Sequence, residues 1–99
     1  MTRWVAIFED DPARANVRLE QRDAHFAYLA RNAAKIRIGG GLQRDPGEPW
    51  IGGLWVIETD SREEAVRLCE DDPFFRQGLR KSYRIMSWGR APCYGAVTI

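Results

Sequence analysis

Short apolar runs alternate with longer amphipathic stretches along the chain, and this pattern predicts four strands and two helices. Residues 3–9 form an apolar run rich in aromatic and β-branched types, which is typical of a strand. Residues 35–42 begin as an alternating strand and end in three consecutive glycines, which suggest a bulge or a close backbone approach. Residues 50–59 and 80–88 give the remaining two strands.

Two amphipathic segments separate these strands. Residues 12–34 are predicted to form one long helix, with Asp11 as its cap. Its core face should carry apolar residues at helical spacing, namely Leu19, Phe26, Leu29, Ala30 and Ala33. A second helix is expected after Ser61, because Glu64 follows three residues later in the capping-box pattern, and it should end before Pro73.

The order βαββαβ predicts an α+β fold, a ferredoxin-like sandwich in which two helices cover one face of an antiparallel sheet. The whole chain, residues 1–99, is expected to form this single domain. The other face of the sheet has no helix to cover its apolar residues. A second copy packing sheet to sheet is therefore expected, giving a homodimer. Residues 89–99 should either add an edge strand or cross to the partner subunit.

Composition narrows the classes of function. Fifteen basic residues balance fourteen acidic ones, which argues against nucleic acid as a partner. The chain has one histidine and two cysteines, Cys69 and Cys93, without a CxxC spacing, so no metal site is expected. Nothing has the spacing of a motif for an organic cofactor. No run is apolar enough for a membrane span or a signal peptide, and the cytoplasm is the expected location.

The first predicted helix carries candidate chemistry at its boundary with the core. Arg18, Arg22 and His25 are spaced by four and three residues, which places them within about 60° on a helical wheel. Two guanidinium groups lining a cavity could hold an anionic ligand, and His25 could donate or accept a proton near pH 7. Alternatively, the arginines extend into solvent and pair with Glu20 and Asp23.

A cluster of carboxylates closes the second predicted helix, where the helix dipole disfavours negative charge. These carboxylates are either solvated, or one of them turns inward to a positive partner. In the inward arrangement, Asp72 would orient His25 and fix its tautomer.

Taken in order, the motifs resemble those of the YciI-like family over nearly the whole chain. They are Asp10-Asp11-Pro12, the R-x-x-x-R-x-x-H motif at 18–25, Gly39-Gly40-Gly41-Leu42, Gly52-Gly53, the segment 61–65 and Asp72-Pro73-Phe74. The resemblance implies a dimeric α/β barrel built from ferredoxin-like halves. It also implies a His–Asp pair, which corresponds here to His25 and Asp72. Gly41 departs from the family pattern, where proline is common, as does the extended tail.

These features predict a small enzyme without a cofactor. His25, oriented by Asp72, would move a proton in an elimination, isomerisation or hydrolysis, while Arg18 and Arg22 hold a small anionic or phenolic molecule. One branch of the family is linked to dehydrochlorination of a hydroxylated aromatic, so the resemblance implies an activity like that of a dehydrochlorinase (a lyase) or an isomerase. The alternative is a non-catalytic homodimeric module that binds a small metabolite or assists a larger enzyme.

Overall fold

The fold is a four-stranded antiparallel sheet with helices on one face. The computed structural model describes all 99 residues. The strands are β1 (Thr2–Asp10), β2 (Ile36–Gln43), β3 (Trp50–Thr59) and β4 (Arg80–Ser87). The helices are α1 (Ala15–Glu20), α2 (Arg22–Arg31), α3 (Arg62–Glu70) and the single turn α4 (Pro73–Arg76), with 3-10 turns at Pro12–Arg14 and Pro92–Tyr94. The strand order β2-β3-β1-β4 confirms the predicted ferredoxin-like topology.

The main core lies between the sheet and helices α2 and α3. Its nine buried side chains are Ala6, Phe8, Tyr28, Ile36, Trp55, Ile57, Ala65, Cys69 and Ile85. A smaller cluster, Val17, Phe74 and Leu79, joins α1 to α4 and to the residue before β4. This second cluster packs α4 against α1, and the candidate site lies beside it.

The predicted single helix over residues 12–34 is wrong, because the chain forms a 3-10 turn and two helices that break at Gln21. Most of its predicted core face is also wrong. Leu19 and Phe26 are 74% and 57% exposed, Ala30 and Ala33 are exposed as well, and only Leu29 packs against the core.

The buried residues of these two helices are instead Val17, His25 and Tyr28. The two polar side chains can be buried because each has a partner. His25 contacts Asp72, and the hydroxyl of Tyr28 donates to the backbone oxygen of Leu68 at 2.7 Å. Apolar periodicity therefore identified the wrong face of the helix.

Both predicted caps are confirmed. The Asp11 side chain accepts a hydrogen bond from the Ala13 N–H at 2.9 Å, and the Ser61 hydroxyl accepts one from the Glu64 N–H at 3.2 Å. These bonds satisfy backbone donors that the first helical turn leaves free. The Glu64 side chain pairs with Lys35 on the loop before β2, and this bond lowers the pKa of Glu64.

The tail after β4 forms no edge strand, so that alternative for residues 89–99 is wrong. The chain instead makes its second 3-10 turn at Pro92–Tyr94, and its last residues bond to side chains of β1 and β2. Arg3 donates to the backbone oxygen of Val97 at 2.8 Å, and Arg37 donates to that of Ile99 at 3.0 Å. Side-chain donors to the tail backbone thus take the place of a strand ladder.

Two of the three glycines in β2, and the pair in β3, let neighbouring groups approach the backbone. A Cβ on Gly39 would lie 3.0 Å from the Trp55 ring, and one on Gly41 would lie 2.7 Å from the Trp50 ring. Irregular pairing occurs on either side of the triplet, between Ile36 and Ile38 and after Leu42. The glycines themselves pair in regular register, so the predicted close approach is confirmed at Gly39 and Gly41, whereas the irregularities lie beside the triplet and not at it.

We expect Gly52→Ala to lower the free energy of unfolding by about 3 kcal/mol, because a core that cannot accommodate added atoms must shift its backbone. A Cβ at this position would lie 2.1 Å from the Phe8 carbonyl oxygen. Gly40→Ala is the control, since nothing lies within 4 Å of its added methyl group. Urea unfolding of both variants measures the difference, and equal stabilities would contradict the close contact.

Candidate active site

His25 and Asp72 form a buried pair where α2 meets α4. Nδ1 of His25 lies 2.6 Å from Oδ1 of Asp72, and the two side chains are 7% and 0% exposed. The imidazole makes the only hydrogen bond to this carboxylate, since Oδ2 has no partner. Because a buried carboxylate needs a partner, the two residues predicted to meet are held together.

The backbone at the start of α4 positions Asp72. Asp72 is the N-cap residue of this turn, with an extended conformation (φ −64°, ψ 135°), and Pro73 takes the first helical position. An aspartate at an N-cap ordinarily accepts hydrogen bonds from the helix backbone. Here its side chain makes no such bond and turns to His25 instead.

The Phe74 ring packs against one face of the His25 imidazole and fixes its plane. The two rings stack with centroids 3.8 Å apart and planes inclined by 8°. The Asp72 carboxylate accepts a hydrogen bond from Nδ1–H, which leaves Nε2 as the nitrogen without a proton. Nε2 has no hydrogen-bond partner in the protein and is not among the buried unpartnered atoms, so it faces the adjoining cleft. Segment 72–74 thus supplies both the hydrogen bond and the stacking surface.

A cleft of about 490 Å³ opens beside His25 between the helices and the start of the β2–β3 hairpin. Its lining residues are Arg18, Arg22, His25, Phe26, Leu29, Gly39, Gly40, Gly41, Trp50 and Phe74. The volume falls within the range that binds small organic molecules. Aromatic rings and glycine backbone make the walls, and two guanidinium groups lie at the edge.

Arg18 and Arg22, the two arginines predicted to hold an anion, both line the cleft, but only Arg18 is fixed by hydrogen bonds. Arg18 donates to Asp10 at 2.6 Å and to the backbone oxygen of Gly52 at 3.2 Å, so its position is fixed. Arg22 is 57% exposed, and its Nε lies 3.8 Å from the Asp23 carboxylate, too far for a hydrogen bond. Arg22 is therefore the more available of the two donors.

Asp10 and Arg80 belong to the same network, and sequence reasoning missed their part in it. Oδ1 of Asp10 accepts a hydrogen bond from Arg80 at 2.7 Å, while Oδ2 accepts the bond from Arg18. The Arg80 side chain is only 2% exposed, and burial lowers its pKa. The only signal in the sequence was a charged residue at each of two strand ends, and such positions are usually solvated.

The buried charges of the site balance when His25 is neutral. Two guanidinium groups, Arg18 and Arg80, face two carboxylates, Asp10 and Asp72. The remaining cation, Arg22, is 57% exposed with Asp23 at 3.8 Å, and it is the cation that a negatively charged ligand in the cleft would meet.

A second cleft of about 720 Å³ lies on the far side of Arg18 and Trp50, which line both cavities. The other charged side chains that line this second cleft already have partners. Asp11 caps the 3-10 turn, and Glu9 pairs with Lys81 at 3.4 Å. Trp50 and Arg18 therefore lie between the cleft that contains His25 and a larger cleft whose charged side chains already have hydrogen-bond or ion-pair partners.

Two further properties bear on the class of site. No group of three or more His, Cys, Asp or Glu side chains is placed to bind a metal ion. None of the helices combines the length and the apolar character that crossing a bilayer requires.

Comparison with known proteins identifies the class. The family model of the YCII-related domain matches residues 2–89, and the chain belongs to this family. This confirms the resemblance to YciI-like proteins that the motifs indicated. No curated protein matches the sequence.

Solved structures share the fold. The dehydrochlorinase TftG of Burkholderia phenoliruptrix AC1100, which acts on 5-chloro-2-hydroxyhydroquinone and was solved with 2,5-dihydroxybenzoquinone, is similar with a TM-score of 0.81 and 29% identity. The match covers 90% of this chain and 95% of that one. An antibiotic biosynthesis monooxygenase gives 0.54 at 13% identity, covering 93% and 100%. Protein Atu4242 of Agrobacterium tumefaciens gives 0.50 at 11%, covering 93% and 95%. The last two show the fold alone.

We expect Cys69 to resist alkylation in the folded protein. Burial raises the pKa of its thiol to about 12, and the charges of Asp72 and Glu70 act in the same direction. At pH 8, iodoacetamide should therefore modify Cys93, which is exposed, and should reach Cys69 only after denaturation. Mass spectrometry of native and denatured samples measures this. Rapid modification of a folded Cys93→Ser variant would show that Cys69 is a reactive thiol.

Proposed function

We propose that this YCII-related protein is a small enzyme that performs acid–base chemistry on a small anionic or phenolic molecule, without a cofactor. The observation that carries the proposal is the His25–Asp72 contact at 2.6 Å, with the second imidazole nitrogen at a cleft. The similarity to TftG, a dehydrochlorinase, supports an elimination as the reaction type.

In this pair, His25 would act as the base, and the Asp72 carboxylate would hold it in position. Nε2 of His25 takes a proton from a hydroxyl group of the ligand, and Asp72 stabilises the imidazolium that forms. For a chlorinated hydroxyhydroquinone, the electrons of the broken O–H bond form a C=O bond, and the imidazolium returns its proton to the ring carbon that carries chlorine. His25 then takes the proton of a second hydroxyl group, whose electrons form the second C=O bond as the C–Cl bond breaks. Chloride leaves with both electrons of that bond. The ring becomes a quinone by loss of HCl, so no oxidant is needed.

The rest of the cleft would position the ligand. Arg22 offers unpaired donors to a phenolate, and Arg18 adds a fixed positive charge. Trp50 and Phe26, which are 49% and 57% exposed, supply flat apolar surfaces on which an aromatic ring can pack. A negative, planar molecule fits both the charge and the shape of this site.

We expect His25→Gln and Asp72→Asn to lower kcat by about 10²- to 10⁴-fold. His25→Gln removes the base. Asp72→Asn presents an amide N–H to Nδ1, which moves the imidazole proton to Nε2. Asp71→Asn is the control, because this neighbouring carboxylate is half exposed and pairs with Arg76. Chloride release from 5-chloro-2-hydroxyhydroquinone measures the rates, with circular dichroism as the test of folding.

Two outcomes would contradict this function. If the folded wild type binds 2,5-dihydroxybenzoquinone but turns over none of a panel of chlorinated hydroquinones and phenols, the non-catalytic binding module is the better reading. If it turns them over and His25→Gln does so equally fast, the reaction does not use the pair.

We also propose that the protein is a homodimer that packs sheet against sheet. The sheet face opposite the helices carries the apolar side chains Val5, Ile7, Ile38, Leu54, Val56 and Met86, which alternate with the buried core residues. Ile38, Leu54 and Met86 are 54%, 39% and 38% exposed in the single chain. An apolar sheet face of this kind is typical of a surface that a second copy covers.

Light scattering at micromolar concentration should give twice the 11.4 kDa mass of one chain. Leu54→Asp should yield the monomer, because it would bury a carboxylate without a partner. Leu19→Asp is the matched control, since Leu19 is 74% exposed on α1 and lies away from this face. A monomeric wild type, or a dimer that survives Leu54→Asp, would contradict packing through the sheet.

A further inference from the structure

Arg80 is the most deeply buried cation of the site, and its surroundings are unusual. One guanidinium nitrogen donates to Asp10 at 2.7 Å, but Nε has no hydrogen-bond partner. The group lies 4.5 Å from the centroid of the Phe8 ring and 5.4 Å from that of Phe74. With 2% exposure, its charge is hardly screened by water.

The Phe74 ring connects this cation to the His–Asp pair. His25 stacks on the ring at 3.8 Å, and Asp72, which the imidazole contacts, begins the same turn. Asp72 is fully buried and its Oδ2 has no partner. The buried cation and the imidazole of the pair therefore lie against one aromatic ring, and the turn that carries this ring begins with Asp72. Burial lowers the pKa of Arg80, and the nearby charge of Asp72 acts in the opposite direction.

The other cations near His25 are more exposed to water than Arg80. The charged residues near His25 are Asp10 on β1, Arg18 on α1, and Arg22 and Asp23 on α2. Tyr28 and Cys69 lie beside Asp72, and β3 contributes the uncharged Trp55. Burial raises the pKa of both Tyr28 and Cys69 to about 12, so these groups are neutral. Arg18 shares Asp10 with Arg80 and lies 5.2 Å from the Phe74 centroid, but its side chain is 21% exposed, so water screens its charge more. Arg22 and Asp23 are exposed to solvent.

We propose that Arg80 is a positioning residue that keeps Asp72 ionised and Nε2 of His25 free of a proton, so that this nitrogen can act as a base. The inference rests on the proposed function, which it extends to a residue outside the cleft. Its physical basis is that a nearby positive charge makes the gain of a further proton by the pair unfavourable. Arg80 does not line the cleft and so acts through Asp72.

The single histidine of the chain permits a direct test without any substrate. Nitrogen-15 NMR of the labelled protein follows the pH at which Nε2 takes up its proton. We expect this pH to rise in Arg80→Gln, which keeps a donor to Asp10 but removes the charge, and to be restored in Arg80→Lys. Arg3→Gln is the matched control. It removes a partly buried arginine that pairs with Glu58 at 2.9 Å in another part of the sheet.

At neutral pH, kcat of Arg80→Gln should fall at least tenfold, with most of the loss recovered at higher pH, while KM changes little. A merely structural role would lower the stability without moving the Nε2 transition. If Arg80→Gln does not fold, Gln and Lys are compared at position 80 in an Asp10→Asn background, where no buried carboxylate loses its partner.

An unchanged Nε2 transition in a folded Arg80→Gln protein would overturn the inference. That result would leave the proposed function intact, because turnover and its loss in His25→Gln are measured separately. Conversely, a wild type without turnover would remove the proposed function even if the Nε2 transition moved as expected.

Discussion

Asp72 is a carboxylate with no access to water, and the arrangement of the surrounding helices depends on satisfying it. Its partner comes from α2, its backbone begins α4, and Phe74 of the same turn supports the imidazole that it contacts. Losing that partner would leave a buried charge alone, which typically costs several kcal/mol. The need to satisfy one side chain therefore fixes how α2 and α4 pack, and it also creates a nitrogen facing a cleft.

A series of alternating charges, Arg18, Asp10 and Arg80, links further elements in the interior. Asp10 accepts from both Arg18 and Arg80, so the end of β1 is tied to α1 and to the start of β4. Arg80 and His25 approach the same Phe74 ring, on which the buried cation and the buried pair meet. Buried ion pairs of this kind add little to stability compared with apolar packing, but they define one arrangement among several compact ones. The proposed positioning role of Arg80 is one use of such an arrangement.

The strand order and both caps could be predicted because they follow from local pattern and from short-range hydrogen bonds. The face of the first helices could not, because His25 and Tyr28 are buried through distant partners, whereas Leu19 and Phe26 are left exposed. The family resemblance indicated Asp72, and sequence spacing alone could not choose it from its neighbours. Arg80 lies 70 residues from Asp10, and no local signal connects the two.

The β2–β3 hairpin shapes the cleft without contributing to its charge. Gly41 leaves room for the Trp50 ring, while the five charged groups of the site come from β1, α1, α2, the start of α4 and β4. A single methyl group at Gly41 would displace the indole and alter the width of the cleft without touching the proton-transfer machinery. The width of the cleft and the proton-transfer pair are therefore encoded in separate stretches of the chain, so that a change in the hairpin can alter the first and leave the second in place.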